Sequence, residues 1–319
     1  MKIVILDGFA ANPGDLSWKG LERFGQVICY PRTAPEQVLN RSEGVQVLLT
    51  NKTVLDRRTI EALPELKMIG VLATGYNIVD IEAARERGVV VCNVPAYSTD
   101  SVAQLIFSFI LQHANHVYEH TQSVQKGDWV RSRDFSYMIA PQTELAGKTI
   151  GFVGFGHVAQ KTADIAAAFG MQVIAYSRTM KGQQDRENFQ WVSLEKLCAQ
   201  ADYVSVNCPL TPQTQGLINR DFLAGMKPSA MLINTSRGPV VVEQDLADAL
   251  NQGIIAAAAV DVLSTEPPKA DNPLLRARNI YFTPHVGWAT KEARTRLLQV
   301  TENNLEAFVK GCPQNVVNP

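Results

Sequence analysis

Residues 148–161, KTIGFVGFGHVAQK, contain the stretch that decides the fold of this chain. An apolar strand over residues 149–153 runs directly into the turn Gly154-Phe-Gly156-His-Val-Ala159 and then into a helix. In such a unit the first glycine permits a tight turn and the second lets backbone amides approach a pyrophosphate. The third position needs a small residue for packing between helix and strand, and Ala159 is small enough. The stretch therefore predicts a dinucleotide site at Gly154 and Gly156.

The predicted helix begins at His157, and a second strand, MQVIAYS, follows at residues 171–177. The first helical turn presents unpaired N–H groups to an anion, so we expect His157 and Val158 beside the phosphates. A site that prefers NAD carries Asp or Glu at the end of the second strand, but this chain has Ser177 and Arg178 there. Because a guanidinium suits a phosphate that an acid would repel, the sequence favours NADP over NAD. The alternative is a solvated Arg178 that stacks on adenine.

Composition restricts the class of protein. The 319 residues are 46% hydrophobic, which is enough for two cores. Lys plus Arg (30) and Asp plus Glu (31) nearly cancel, so no nucleic-acid or membrane-surface partner is expected. The start, MKIVILDG, lacks the features of a secretory signal, and no apolar run reaches the length of about 18 residues that spans a bilayer. Five dispersed cysteines without a CxxC pair indicate neither a disulfide framework nor a metal site. These features predict a cytoplasmic enzyme.

Short apolar strands alternate with helical segments along the whole chain. This rhythm is typical of α/β proteins with doubly wound parallel sheets, and it predicts two such Rossmann-like domains. A long helix, with Val102 to Val117 on one apolar face, connects the two sets of strands, and an irregular segment, residues 127–147, follows it. The predicted strands cover residues 2–6, 26–30, 45–49, 68–72 and 89–92, then 149–153, 171–177, 203–208, 230–234, 255–260 and 279–282.

Three loops that follow strands of the second set carry reactive side chains. Arg237 lies in LINTSRGPVV, Glu266 in AAVDVLSTEPP and His285 in IYFTPHVGWAT. Ligands of such sheets bind outside the carboxyl ends of the strands. An Arg that holds a carboxylate, a His that passes a proton and a Glu that orients the His together fit reduction of a 2-keto acid. Taken singly, Arg237 could cap a loop, Glu266 could initiate a turn and His285 could be a packed loop residue.

These motifs, together with NCPLTPQTQGLIN at residues 207–219, make the chain resemble the NAD(P)-dependent D-isomer-specific 2-hydroxyacid dehydrogenases over essentially its full length. The resemblance implies that Arg237, Glu266 and His285 are catalytic. It also implies hydride transfer between a nicotinamide and C2 of the substrate. Further cofactor contacts are implied within the matching motifs, at Cys208, Pro209, Thr214, Thr235, Ser236, Asp261 and Gly287.

The segment VLATGYNIVD is similar to the substrate loop of the family, in which amides near Thr74 and Gly75 would receive the carboxylate. Within the family, this segment, PAYSTDSVAQ and Trp288 look most like glycerate dehydrogenases, also called hydroxypyruvate reductases. The implied substrates are glycerate and hydroxypyruvate or glycolate and glyoxylate. Trp288 could exclude aromatic keto acids or could serve only in packing.

The resemblance also implies an architecture. Residues 1–98 and 290–319 would form a discontinuous substrate domain, and residues 99–289 a dinucleotide-binding domain on which it closes to exclude water. The family is usually dimeric, and a homodimer is therefore expected. Its candidate arm contains Trp129, Phe135, Tyr137 and Met138, although these residues could also pack on their own subunit.

Alternatives to this interpretation remain. A non-catalytic NAD(H)-sensing protein, similar to the corepressors that share the fold, could keep all three catalytic residues, and turnover of hydroxypyruvate would exclude it. A related dehydrogenase for another 2-keto acid is also possible. A formate dehydrogenase fits less well, because those enzymes resemble this chain with Gln in place of Glu266. A scaffold protein has no need of Arg237, Glu266 and His285 together.

Overall fold

The computed structural model of the protein describes residues 1–183 and 185–319. The chain divides into two compact units. Unit 1 comprises Met1–Ser98 and Trp288–Pro319, and unit 2 comprises Thr99–Gly287. Each unit contains a parallel sheet with helices, which confirms the predicted α/β class with two doubly wound sheets. The chain returns from unit 2 to unit 1 between Gly287 and Trp288. The boundary expected from the sequence lies two residues later, after residue 289.

Unit 1 has a five-stranded sheet of order β2-β1-β3-β4-β5 in which all strands are parallel. The strands are β1 Lys2–Ile5, β2 Gln26–Cys29, β3 Val47–Thr50, β4 Met68–Val71 and β5 Val90–Cys92. The helices are α1 Gly8–Ala11, α2 Lys19–Glu22, α3 Val38–Arg41, α4 Arg57–Glu61, α5 Ile81–Glu86 and, from the C-terminal part, α13 Lys291–Val309. The central strands β3 and β4 are buried along their whole length because helices cover both faces of the sheet.

Local sequence explains where the helices of unit 1 begin and end. The side chain of Asp80 accepts a hydrogen bond from the amide of Ala83 at the start of α5, and Gly88 follows that helix with φ +66°. Helix α13 begins in the same way, since Thr290 accepts from the amide of Ala293.

Unit 2 has a seven-stranded parallel sheet of order β12-β11-β10-β9-β6-β7-β8. The strands are β6 Thr149–Val153, β7 Gln172–Tyr176, β8 Phe189–Trp191, β9 Tyr203–Val206, β10 Met231–Asn234, β11 Ala257–Val260 and β12 Ile280–Phe282. The helices are α6 Thr99–Asn115, α7 Val117–Gln125, α8 Asp128–Arg131, α9 His157–Ala168, α10 Leu194–Gln200, α11 Arg220–Ala224 and α12 Glu243–Gln252. The chain leaves β6 toward β7 and returns to β9 on the other side, so the strand order reverses beside β6. Ligands of open α/β sheets bind at this point.

The long predicted helix is shorter in the structure than in the sequence interpretation. Helix α6 ends at Asn115, and His116 with φ +51° separates it from α7. Val117, predicted on the apolar face of the long helix, is therefore the first residue of α7 and is 61% exposed. A left-handed residue turns the chain away from the α6 axis, and periodicity alone does not reveal such a break. The segment 127–147, expected to be irregular, also contains the short helix α8.

Two further features concern the part of the chain that the structure describes, residues 1–183 and 185–319. Within it, no helix combines the length and apolar character needed to cross a bilayer. Those residues also contain no group of three or more His, Cys, Asp or Glu side chains that could hold a metal ion.

Candidate active site

The glycine turn joins β6 to α9 at the position where the strand order reverses. Gly154 has φ +90°, and a Cβ added there would lie 2.8 Å from the amide nitrogen of Cys208. Only glycine fits this approach of two backbone segments. At Gly156 an added Cβ would meet nothing within 4 Å, so the space above this residue is open. The turn thus has the tight first glycine and the open second glycine that a pyrophosphate site requires.

Helix α9 begins at His157, and its N-cap residue, Gly156, provides no side-chain hydrogen bond. The amides of the first turn, including those of His157 and Val158, therefore have no capping side chain and are suited to an anion. Ala159 is fully buried, as expected for the small residue between helix and strand. Across the turn, burial raises the pKa of the Cys208 thiol, so it stays neutral and does not repel a phosphate.

A buried hydroxyl supports a ligand at this edge of the sheet. Thr235 follows β10, and its Oγ1 is shielded from solvent yet has no hydrogen-bond partner among the described residues. Buried polar atoms are normally satisfied, and an orphaned hydroxyl at a strand end indicates a group that binds there. Together with the open glycine turn, this hydroxyl fits a dinucleotide cofactor.

The loop after β9 is fixed by its own side chains. Thr214 Oγ1 donates to the carbonyl of Pro209 at 2.6 Å and accepts from the amide of Thr211 at 2.8 Å. Cys208 is buried and Pro209 exposed, so the loop presents Pro209 to solvent beside the glycine turn. After β7, Ser177 is half-buried and Arg178 exposed.

Asn234 shapes the loop that carries Arg237. The side chain of Asn234, the last residue of β10, is 1% exposed. It accepts from both the amide and the hydroxyl of Ser236 and donates to the carbonyl of Arg237 at 3.0 Å. Gly238 then passes so close to Leu263 that a Cβ would lie 2.0 Å from its carbonyl carbon. The guanidinium of Arg237 donates to the carbonyl of Ser236 at 2.7 Å and is thereby held at the strand end.

The structure brings Glu266 and His285 together, although 19 residues separate them. Nδ1 of His285 lies 2.6 Å from Oε2 of Glu266, and the other carboxylate oxygen accepts from the amide of Leu263 at 3.1 Å. A carboxylate only accepts hydrogen bonds, so Nδ1 is the donor, and Nε2 remains to exchange a proton with a substrate. The side chain of His285 is 24% exposed and that of Glu266 is 33% exposed, so both are accessible from solvent.

Asp261 holds the loop on which His285 lies. Its carboxylate, on a residue that is 4% exposed, accepts from the hydroxyl of Thr283 at 2.5 Å and from the amides of Val286 at 2.8 Å and Gly287 at 2.9 Å. Its carbonyl accepts from the amide of His285 at 2.8 Å. These bonds fix His285 with φ +54°, a conformation that side chains other than glycine rarely adopt. The sequence predicts that Asp261 and Gly287 contact the cofactor; in the structure both residues support the loop that carries His285.

The predicted substrate residues lie in unit 1. Thr74 follows β4, donates from Oγ1 to the carbonyl of Val94 at 2.9 Å and offers its own carbonyl to the side chain of Asn93. Gly75 is half-buried beside it. Trp288 is partly buried and packs against the apolar cluster that α13 covers.

The sequence interpretation missed two positioning residues, Asn234 and the buried Ser101. Ser101 Oγ donates to the carbonyl of Gly287 at 2.5 Å. A polar residue that closes an apolar strand, such as Asn234 in MLIN, was the available signal for the first. No pattern in the sequence indicates the second, because the bond joins residues 186 positions apart.

Comparison with known proteins agrees with this site. Residues 107–287 match the family model "D-isomer specific 2-hydroxyacid dehydrogenase, NAD binding domain". The chain is 47% identical over 321 residues to a hydroxypyruvate reductase of Blautia hydrogenotrophica, with 100% of each chain covered. It is 39% identical over 285 residues to a glycerate dehydrogenase of Methylorubrum extorquens, with 89% of this chain and 88% of the relative covered.

The structure is similar to that of an NADPH-dependent glyoxylate/hydroxypyruvate reductase from Sinorhizobium meliloti solved with citrate. The TM-score is 0.84 at 27% identity, and the match covers 100% of this chain and 98% of the other. The predicted nicotinamide cofactor and the predicted family are confirmed. The chain belongs to the D-isomer-specific 2-hydroxyacid dehydrogenases, and unit 2 contains its NAD-binding domain.

Proposed function

We propose that the protein reduces hydroxypyruvate to D-glycerate and glyoxylate to glycolate, and that NADPH is its preferred cofactor. The contact between Glu266 and His285 carries this proposal, because an imidazole paired with a carboxylate at the carboxyl edge of a parallel sheet is suited to proton transfer. The names of the two curated relatives support the choice of substrate. The dinucleotide-sensing alternative receives no support from the family model or from these relatives.

The catalytic roles that we propose belong to residues of unit 2. A bound nicotinamide would supply the hydride to C2 of the keto acid. Arg237 binds the substrate carboxylate and polarises the C2 oxygen, for which a guanidinium fork is suited. His285 donates the proton at Nε2 to that oxygen, and Glu266 stabilises the imidazolium before the transfer. Reduction thus consumes one hydride and one proton, and it leaves His285 neutral.

We assign the substrate-binding role to unit 1 and the dinucleotide-binding role to unit 2. In unit 1, the amides near Thr74 and Gly75 would contact the substrate carboxylate, and Trp288 would restrict the size of the substrate side chain. The carbonyl of Thr74 is held by Asn93 and its hydroxyl by Val94, which supports an ordered loop. Hydroxypyruvate and glyoxylate carry little apolar surface, so selection must rest on polar contacts and on steric exclusion.

The cofactor preference rests on the end of β7, where Ser177 and Arg178 replace the acid that would bond the ribose hydroxyls. Arg178 is exposed and makes no ion pair within the described residues, so it is available to a ribose phosphate. The remaining cofactor contacts proposed here are Gly154, Gly156, His157, Val158, Cys208, Pro209, Thr214, Thr235, Ser236, Asp261 and Gly287.

A steady-state comparison tests the proposed function. Hydroxypyruvate, glyoxylate, pyruvate and phenylpyruvate are supplied with NADPH and with NADH, and kcat/KM is measured for each pair. We expect the first two substrates with NADPH to give the highest values. Turnover of none of the four acids, while the dinucleotide still binds, would favour the sensor instead.

We further propose a cytoplasmic homodimer. Apolar side chains are exposed on the segment from α7 to residue 139, with Val130 at 90%, Phe135 at 91% and Met138 at 79% exposure. Several large apolar side chains exposed on one segment are typical of a surface that an interface covers. Free thiols at all five cysteines suit a reducing compartment. Light scattering should give the mass of a dimer, and Phe135→Glu should shift it toward the monomer.

A further inference from the structure

Arg186 lies in the loop between β7 and β8 and makes three hydrogen bonds with one guanidinium. NH1 contacts Oδ1 of Asp164 on α9 at 2.6 Å, and NH2 donates to the carbonyl of Gln160 on the same helix at 3.3 Å. Nε donates to Oε1 of Gln183 within the loop at 2.6 Å. The side chain is 24% exposed, so most of it is covered by these partners. One residue thus ties the loop to the helix that follows the glycine turn.

The same loop is attached to the glycine turn by aromatic packing. Phe155, between the two glycines, lies 4.9 Å from Phe189 and 5.5 Å from Trp191 between ring centroids. The guanidinium carbon of Arg186 is 5.8 Å from the centroid of the Phe155 ring. Trp191 Nε1 donates to the carbonyl of Gly182 at 3.2 Å. Turn, loop and strand β8 therefore form one packed cluster at the cofactor edge of unit 2.

The three cations of the loop are used differently. Arg186 is paired with Asp164, which neutralises its charge and makes it a poor ligand for a phosphate. Arg178 and Lys181 are exposed, and neither has a hydrogen bond or ion pair within the part of the chain that the structure describes. Two unpaired cations on a loop that a third cation anchors form an arrangement suited to a dianionic ligand.

We propose that Arg186 is a positioning residue for cofactor selection. By fixing the loop on α9 and Phe155, it holds Arg178 and Lys181 in place for the 2′-phosphate of NADPH. The inference rests on the proposed preference for NADPH and adds the residue that makes the preference effective. An unanchored loop would have to be ordered during binding, and this ordering weakens the affinity. NADH carries no phosphate at this position and should not depend on the anchor.

The experiment measures dissociation constants of NADPH and NADH by calorimetry on the full-length protein, without substrate. Arg186→Ala should weaken NADPH binding about fivefold, as expected for the ordering of a few side chains, and change NADH binding less than about twofold. Arg186→Lys keeps the charge but cannot bridge three acceptors, so it should resemble the alanine variant. Asp164→Asn serves as a second, milder variant if the alanine variant does not fold. Arg278→Ala, an exposed arginine before β12 at the opposite edge of the sheet, is the matched control.

A double-mutant cycle separates positioning from direct binding. In an Arg178→Ala background, the effect of Arg186→Ala on NADPH should fall below about twofold, because the loop then has less to position. Equal effects in both backgrounds, or equal losses for NADPH and NADH, would overturn the proposal. Full affinity in Arg186→Lys would also overturn it, since charge alone would then suffice.

Hydrogen exchange distinguishes this proposal from the cofactor preference itself. Amides of residues 177–183 should exchange faster in Arg186→Ala than in the wild type, while those of β6 should not change. A wild-type protein that binds both cofactors equally would refute the NADPH preference, and the role of Arg186 in selection would fall with it. The anchoring role of Arg186 would then rest on hydrogen exchange alone. Faster exchange of residues 177–183 in Arg186→Ala would support it, and an unchanged exchange rate would refute it.

Discussion

The first strand-to-helix turns of the two units occupy equivalent positions in their sheets but end in opposite chemistry. In unit 1, β1 runs into Asp7 and Gly8 before α1. The carboxylate of Asp7 accepts from the amides of Asn51 at 2.7 Å, Lys52 at 2.6 Å and Thr53 at 2.8 Å. In unit 2, β6 runs into a turn of two glycines without an acid.

The difference is the basis for proposing a dinucleotide at one turn and not at the other. Unit 1 satisfies the amides at its strand ends with its own carboxylate, and a phosphate there would meet a negative charge. Unit 2 leaves the amides of the α9 N-terminus and the hydroxyl of Thr235 for a ligand. Two parallel sheets with the same alternation of strands and helices can therefore differ in anion binding because of a few residues in one turn.

The largest expected effect concerns the assignment of chemistry to unit 2. His285→Ala should lower kcat for hydroxypyruvate by about 10²-fold or more, as expected for loss of a general acid. The dissociation constant of NADPH should not change, because the imidazole contacts Glu266 rather than the glycine turn. His120→Ala on the surface helix α7 is the matched control. A His285→Ala enzyme with wild-type kcat would place the acid elsewhere.

The second prediction exchanges one glycine in each turn. Gly154→Ala should weaken cofactor binding about 30-fold or more, because its Cβ would lie 2.8 Å from the backbone of Cys208 and φ is +90°. Gly8→Ala would place a Cβ 2.5 Å from Cys29 Sγ, so it should lower the melting temperature but spare cofactor affinity. Calorimetry with NADPH and thermal unfolding measure the two effects. Equal loss of affinity in both variants would remove the contrast between the turns.

Replacement of Arg178, which follows β7, tests the cofactor preference of unit 2. Arg178→Ala should weaken NADPH binding about tenfold through loss of a charge-assisted bond to the phosphate, and NADH binding should be unaffected. Dissociation constants for both cofactors test this expectation. Comparable losses for the two would mean that Arg178 stacks on adenine or acts through the loop, and the preference for NADPH would need another source.

The contribution of unit 1 can be tested at Trp288. Trp288→Ala should raise kcat/KM for phenylpyruvate relative to hydroxypyruvate about fivefold, because the indole would no longer exclude the phenyl ring. The measurement is the ratio of the two values in variant and wild type. Since Trp288 also packs against the α13 cluster, thermal unfolding is followed in parallel. An unchanged ratio together with a lower melting temperature would assign Trp288 to packing alone.

The smallest effect concerns the support of His285 by Glu266. Glu266→Gln keeps the size of the side chain but replaces the negative charge beside Nδ1 of His285 with a neutral amide. We expect kcat for hydroxypyruvate to fall about threefold, the order expected for loss of a partly exposed ion pair, while the dissociation constant of NADPH is retained. Steady-state kinetics and calorimetry measure the two quantities. A variant with the kcat of the wild type would show that the 2.6 Å contact has no part in proton transfer.

Much of the fold follows from local pattern. Strands that are apolar throughout, helices of period 3.6 and the turn at Gly154 each depend on neighbouring residues, and the structure confirms the sheets that they predicted. The strand β8 and the break at His116 were not predicted. Strand β8 is only three residues long, and a left-handed conformation at a histidine leaves no periodic signal.

The sequence by itself determined the class of the fold, the position of the glycine turn between β6 and α9 and the placement of Arg237, Glu266 and His285 after successive strands. Their catalytic roles remain predictions. Only the tertiary structure decided that Glu266 contacts His285 at 2.6 Å and that Asp261 holds the loop that carries His285. It also decided that, among residues 1–183 and 185–319, Arg186 forms an ion pair and Arg178 does not. The physical reason is that propensity and periodicity act between near neighbours. Hydrogen bonds between loops depend instead on how parallel strands bring distant residues to one edge of a sheet.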